Sequence, residues 1–150
     1  MSWRAITETD VLAVLNGTES TALRGALLAS GQTDPLPDLI DQVTNHVRDS
    51  IRSCRDNVLD PTDGTVPEAC IPAAVDMIVY RLSQRLGRAL PVTDDRREAM
   101  KSAEKYFERV ASCKMAVEQF GADPDTTART VGPRITGRTR NFTRTTQDGI

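Results

Sequence analysis

Apolar residues recur along this chain at three- and four-residue spacing, the period of helices packed on one side, and polar residues mark where each helix begins and ends. Thr7 with Asp10 three residues on can cap a first helix, and Ile6 can pack on Val11 across its start. Val11, Val14 and Leu15 share one face before Asn16-Gly17 stops the turn. A second helix is expected from Thr18 to about Gly31, with Glu19 in its first turn and Leu23, Ala26 and Leu27 turned inward. Asp34-Pro35-Leu36-Pro37 breaks the chain and starts a new helix. On it Leu39, Ile40, Val43, Val47, Ile51 and Cys54 form one stripe that ends near Arg55. Asp41, Asn45, Arg48, Asp49 and Arg52 lie off that stripe, and His46 borders it.

Asp60-Pro61, Asp63-Gly64 and Val66-Pro67 make residues 56–67 a loop. The helix expected from Glu68 to Leu86 carries Ile71, Val75, Met77, Ile78, Val79, Tyr80 and Leu82, more than one stripe can hold. A helix apolar nearly all round is central in its domain or covered by neighbouring subunits. Asp76 interrupts that surface, Arg81 and Arg85 suit the C-terminal end of the dipole, and Gly87 can close the helix. Beyond Leu90-Pro91, Thr93 or Asp94 can cap a last helix with a stripe of Ala99, Ala103, Tyr106, Val110, Cys113, Val117 and Phe120. Glu98, Lys101, Glu104, Lys105 and Glu108 form its solvated face. The expectation is an all-α fold, a compact bundle of four to five helices.

Composition agrees with that picture and narrows the chemistry. With 150 residues, 39% hydrophobic, 27% charged and only six aromatics, the chain suits one helical core better than a β-sandwich. It contains no apolar run of about 18 residues, so no membrane span is expected. Met-Ser-Trp-Arg-Ala-Ile leads into polar residues without an apolar signal core, so secretion is not expected. Cys54, Cys70 and Cys113 are an odd, scattered set, read as small buried hydrophobes in a reducing compartment with no disulfide framework. His46, the only histidine, excludes His-rich metal sites and leaves one candidate for a nucleophile–His–acid triad. Asp94-Asp95 and Asp123/Asp125 fit a helix start and a turn. Gly132 to Thr139 has phosphate-loop spacing with Arg138 in place of lysine, but neither a strand before it nor a helix after it. No catalytic set, metal site or cofactor site is therefore expected, and the chain reads as a non-enzyme.

Charge divides the chain in two. Residues 1–120 hold 14 basic and 18 acidic residues, whereas 121–150 hold five arginines against three aspartates, with eight threonines and no lysine. The expected organisation is a helical domain over 1–120 and an extended basic arm over 121–150, too poor in apolar residues to fold alone. Arg138, Arg140, Phe142 and Arg144 alternate with Thr139, Asn141, Thr143 and Thr145, so an extended chain sets the arginines and Phe142 on one side. Arg129, Arg134, Ile135, Arg138, Arg140, Phe142 and Arg144 are the candidate partner-binding residues, with Phe142 as apolar anchor and the arginines meeting carboxylates.

The span from about Leu36 to Val117 resembles the small helical head–tail connector (adaptor, or head-completion) proteins of tailed bacteriophages. The long helix with Leu39, Ile40, Val43, Val47 and Ile51, the following Pro-bearing loop, and Ile71-Pro72-Ala73-Ala74-Val75-Asp76-Met77-Ile78-Val79-Tyr80-Arg81-Leu82 carry the likeness. So does Asp95-Arg96-Arg97-Glu98 running through Ala103-Glu104 to Val110-Ala111-Ser112-Cys113. Many relatives close the last helix with glycine near Ser112 or Cys113, which this chain lacks, and the Arg/Thr arm lies outside the shared pattern. The resemblance implies a virion protein that forms a homo-oligomeric ring of about twelve copies, docked on the portal protein and joined to the next tail component. It implies DNA passing through a central channel without specific binding, and no enzymatic activity. The alternative is a small helical nucleic-acid-binding phage protein, a packaging or regulatory factor, since arginines beside an aromatic can hold phosphates and stack on bases.

Overall fold

Side-chain caps set the element boundaries in the computed structural model, which describes residues 3–29, 31 and 33–121. Helix α1 (Glu8–Val14) starts at Thr7, whose hydroxyl accepts from the Asp10 N–H while the Asp10 carboxylate accepts from the Thr7 N–H. Helix α2 (Gly17–Ala29) opens in the same reciprocal way: Asn16 Oδ1 accepts from the Glu19 N–H at 2.8 Å, and Glu19 Oε2 accepts from the Asn16 N–H at 3.3 Å. Asn16 thus opens the second helix, while Leu15 ends the first in extended conformation. Asp34 caps α3 (Pro35–Ser53), with Pro35 in the first turn where no N–H is needed. A 3₁₀ turn at Glu68–Cys70 leads into α4 (Ile71–Leu86), which Gly87 closes with φ 53°. Thr93 caps α5 (Asp94–Ala111).

These five helices make the protein an all-α bundle, with one addition that periodicity did not reveal. Strand β1 (Trp3–Ala5) pairs antiparallel with β2 (Thr65–Pro67), Arg4 opposite Val66. Three-residue strands are too short for a period-two signal, and Pro67 within one argues against a strand by composition.

The core lies where α3, α4 and α5 meet. Leu39, Val43, Val47 and Ile51 of α3 face Ala74, Val75, Ile78 and Leu82 of α4, and Ala103, Phe107 and Val110 of α5 close the third side. Val11, Leu23, Leu36 and Leu90 extend this core, whereas Ala26 and Leu27 lie outside the residues whose side chains are described. The broad apolar surface of α4 is covered by its own chain: Ile71, Ala74, Val75, Met77, Ile78, Val79 and Leu82 are all buried in the single copy. Of the two explanations for that helix, the central position is the one realised, so α4 does not need a neighbouring subunit to cover it.

Three sequence expectations are corrected. First, α5 ends at Ala111, so the stripe through Cys113, Val117 and Phe120 is not one helix. Cys113 adopts φ 57°, its N–H reaches Val110 O and the Lys114 N–H reaches Arg109 O, the paired bonds of a left-handed helix end. Within α5 the inward position is Phe107, fully buried, while Tyr106 is half-buried beside it. Second, Cys54 and Cys113 are not separate small hydrophobes but a disulfide joining the end of α3 to the end of α5; Cys70 alone is a free buried thiol. Third, Arg48, expected among the polar residues off the stripe, is 8% exposed.

Arg48 turns inward because the 60–65 loop offers it a cage of carbonyls. Its Nη1 donates to Thr65 O at 2.7 Å and Thr62 O at 3.1 Å, and Nη2 donates to Asp60 O at 3.0 Å. Asp60 tightens the same loop by accepting from the Thr62 N–H and the Thr65 hydroxyl. The exposed Asp63 carboxylate, 3.8 Å away, contributes little beside these bonds.

Arg48→Met is expected to destabilise the protein by about 3 kcal/mol in urea denaturation, because three loop carbonyls lose their donor. Arg48→Lys should recover less than half of that, since an ammonium cannot span the three acceptors in one plane. Reduction, or Cys54→Ser with Cys113→Ser, is expected to cost about 2–4 kcal/mol for a loop of this length, read as a lower Tm in dithiothreitol.

Candidate functional site

The chain beyond α5 turns back across the end of α3, and the last described residues, up to Gly121, are anchored there, just before the basic segment begins in sequence. Asn57 Nδ2 donates to Ile51 O, a carbonyl at the C-terminus of α3, at 3.1 Å. Its Oδ1 accepts from Gln119 Nε2 at 2.8 Å, and Gln119 Oε1 in turn accepts from the Val58 N–H. The Phe120 N–H then donates to Val58 O at 3.2 Å. This ladder holds Phe120 edge-on to Trp3, ring centroids 6.4 Å apart and planes at 87°. Val58 and Phe120 remain 55% and 42% exposed, so together they present an apolar surface at the root of the arm. The Trp3 indole N–H, buried behind them, meets no acceptor among the described residues.

Arg129, Arg134, Ile135, Arg138, Arg140, Phe142 and Arg144, the candidate partner contacts, lie outside the described residues, as do Asp123, Asp125 and the Gly132–Thr139 segment. What the structure adds is the root from which they depart. Spacing alone could not reveal it, because Asn57 and Gln119 are 62 residues apart and neither belongs to an apolar stripe.

Clefts open on the described part of the body. One, about 340 Å³, lies between α3, α4 and α5, rimmed by His46, Arg81, Glu104 and Glu108 over a floor of Met77 and Phe107. His46 is exposed there and meets the Phe107 ring edge-to-face at 6.3 Å, the edge position its sequence context predicts. A second, about 280 Å³, lies on α5 among Ser102, Lys105, Tyr106 and Arg109. A third, about 190 Å³, is formed by Val14, Asp76, Val79, Ala99 and the α5 start at Asp95 and Arg96. Arg96 is committed elsewhere, to Glu19 at 2.7 Å and to Pro91 O. Asp94 pairs with Arg97 at 2.7 Å, so the Asp94-Asp95 pair serves the helix start.

Among the described residues, one group of three His, Cys, Asp or Glu side chains converges closely enough to hold a cation: Cys54, Asp56 and Cys113, with atoms within 4.8 Å of one another. Its two sulfurs are bonded to each other, which removes the thiolates a soft metal needs. No helix of the described residues is long and apolar enough to cross a membrane. The chain matches no family model, no curated protein and no solved structure.

Ionisable groups divide by what surrounds them. Arg4 donates two 2.8 Å bonds to Asp10, which also accepts from Thr7, and together these hold the Asp10 carboxyl well below the usual carboxylate range. Burial pushes Asp76 the other way, and pushes the Cys70 thiol and the Tyr106 hydroxyl up; those two lie 3.7 Å apart.

Opposite pH behaviour is expected from the two aspartates. Asp10, with its folded pKa depressed, stabilises the fold above the ordinary carboxylate range and loses that contribution as pH falls towards its folded value. Asp10→Asn should therefore lower the Tm most near neutral pH. Asp76, with its folded pKa raised, destabilises the fold when ionised, so Asp76→Asn should raise the Tm at about pH 7 and be neutral at about pH 3.

Proposed function

We propose that the protein is a structural head–tail connector of a tailed bacteriophage. It assembles as a ring on the portal protein, joins it to the next tail component and surrounds the channel through which DNA passes. One observation carries this reading. The chain closes α5 with a left-handed residue at Cys113, near the position where many connector relatives have glycine, so the backbone turn that glycine suits is present although the residue type differs.

The distribution of charge supports the same function. An acidic body, with 18 acidic against 14 basic residues up to 120, repels the phosphates of DNA moving past it. The basic arm that follows leaves the body beside Trp3, Val58 and Phe120, where an apolar surface already stands open. An extended arginine- and threonine-bearing segment can add to a partner's sheet edge or groove, with carboxylates opposite the arginines.

Removing residues 122–150 is expected to leave helical circular dichroism unchanged and to abolish co-sedimentation with portal rings from the same particle. Undiminished docking of the truncated chain would reject the arm as the contact. Light scattering of the full chain should show a ring, or a monomer that becomes one on the portal. DNA binding by the full chain that weakens steeply with salt would instead favour a nucleic-acid-binding factor.

A further inference from the structure

We propose that Cys54 and Cys113 form a reversible thiol–disulfide site, a latch whose closure fixes residues 114–120 and with them the point from which the arm departs. The pair joins two helix ends, the cysteine Cα atoms 5.3 Å apart, and every part of the root except Trp3 follows one sulfur or the other by three to seven residues. On the α3 side, Cys54 is followed by Asn57 and Val58; on the α5 side, Cys113 is followed by Gln119 and Phe120. The latch thus closes the same contact that the Asn57–Gln119 ladder and the Trp3–Phe120 pair make.

Three features distinguish it from a core staple. Cys113 is exposed although Cys54 is buried, so a small thiol has one sulfur to attack. Cys113 sits in the left-handed region, which a residue other than glycine enters at a cost, so the turn has a weak intrinsic preference and needs an outside tie. Neither cysteine belongs to the core of α3, α4 and α5, and of the 114–120 segment only Val117 is buried in that core with Met115 packed against it, so opening the latch loosens one edge of the core and leaves the bundle packed.

Opening begins when a thiolate of the glutathione class attacks Cys113 Sγ; the S–S bond breaks and its electron pair leaves on Cys54 Sγ. A second thiolate attacks the outer sulfur of the mixed disulfide, releasing the small disulfide and the Cys113 thiolate, and both thiolates take protons from water. Closing is the reverse, with the small disulfide as oxidant. The Asp56 carboxylate lies within 4.8 Å of both sulfurs and disfavours the departing thiolate, which slows opening. The link to assembly rests on the connector reading: a virion protein is made in a reducing cytoplasm and meets oxidant on release, so the latch would close after docking.

The full-length chain, free of portal, tests the latch, so that this inference and the connector reading can fail separately. Amide hydrogen exchange is compared in dithiothreitol and in glutathione disulfide, with fluorescence of Trp3, the single tryptophan, reporting its contact with Phe120. In dithiothreitol, exchange of the Lys114, Met115 and Phe120 amides, the hydrogen-bonded ones of this segment, should accelerate by about tenfold or more beyond the even loss of protection that the lower global stability brings to α3, α4 and α5, with helical circular dichroism unchanged, and oxidation should restore it. Asp56→Asn should open about threefold faster. Cys113→Ser removes the bond and leaves the cost of the left-handed turn in place, so its Lys114, Met115 and Phe120 amides should exchange at the reduced rate in either reagent. Equal exchange in both redox states, loss of helical circular dichroism on reduction, or full protection in Cys113→Ser would each overturn the proposal.

Discussion

A single guanidinium ties the central helix α3 to the loop that leads into strand β2. Arg48 projects from the C-terminal third of α3 into the 60–65 loop and donates to the carbonyls of Asp60, Thr62 and Thr65, the Asp60 bond fully buried and the other two partly so. Thr65 begins β2, so the loop conformation that Arg48 enforces also places the strand that pairs with β1. Strand β1 in turn carries Trp3, on which Phe120 rests. The chain of dependence therefore runs from one buried charge on α3, through a loop and a strand pair, to the surface beside the arm. A buried charge is costly unless fully hydrogen-bonded, so this arrangement tolerates little rearrangement of the loop.

The same helix controls the other end of the molecule. Beyond its last turn, Cys54 bonds Cys113 and Asn57 engages Gln119, so the segment after α5 is laid against α3 and not continued outward as helix. The continuation of the apolar stripe beyond Ala111 is real, since Val117 is buried, but it is achieved by a turn and a return segment. Continued as one helix, those residues would imply a longer rod with the basic segment following from its tip. The observed turn brings the arm's origin back beside the N-terminal strand, where a basic segment departs from an acidic body next to exposed apolar side chains.

Much of the fold was legible because the responsible interactions are local. Thr7 with Asp10, Asp34 before Pro35, Gly87 after Leu86 and Thr93 before Asp94 each satisfy helix-end groups within a few residues, so their chemistry appears in sequence order. The stripe on α3 and the all-round apolarity of α4 follow from the same short period. The candidate site was less legible. Its residues Asn57, Val58, Gln119, Phe120 and Trp3 meet only in space, and none carries a pattern that a neighbour in sequence could complete.

By itself, then, the sequence determined the helical class, four of the caps, the central helix and the division of charge between body and arm, because each depends on spacing or composition. Only the tertiary structure decided that Arg48 turns inward, that Cys54 finds Cys113 across 59 positions, that three residues at each of two distant places pair as strands, and that α5 stops at Ala111. Each of these joins groups far apart in the chain, and what selects the partner is proximity after the α3–α4–α5 core has formed.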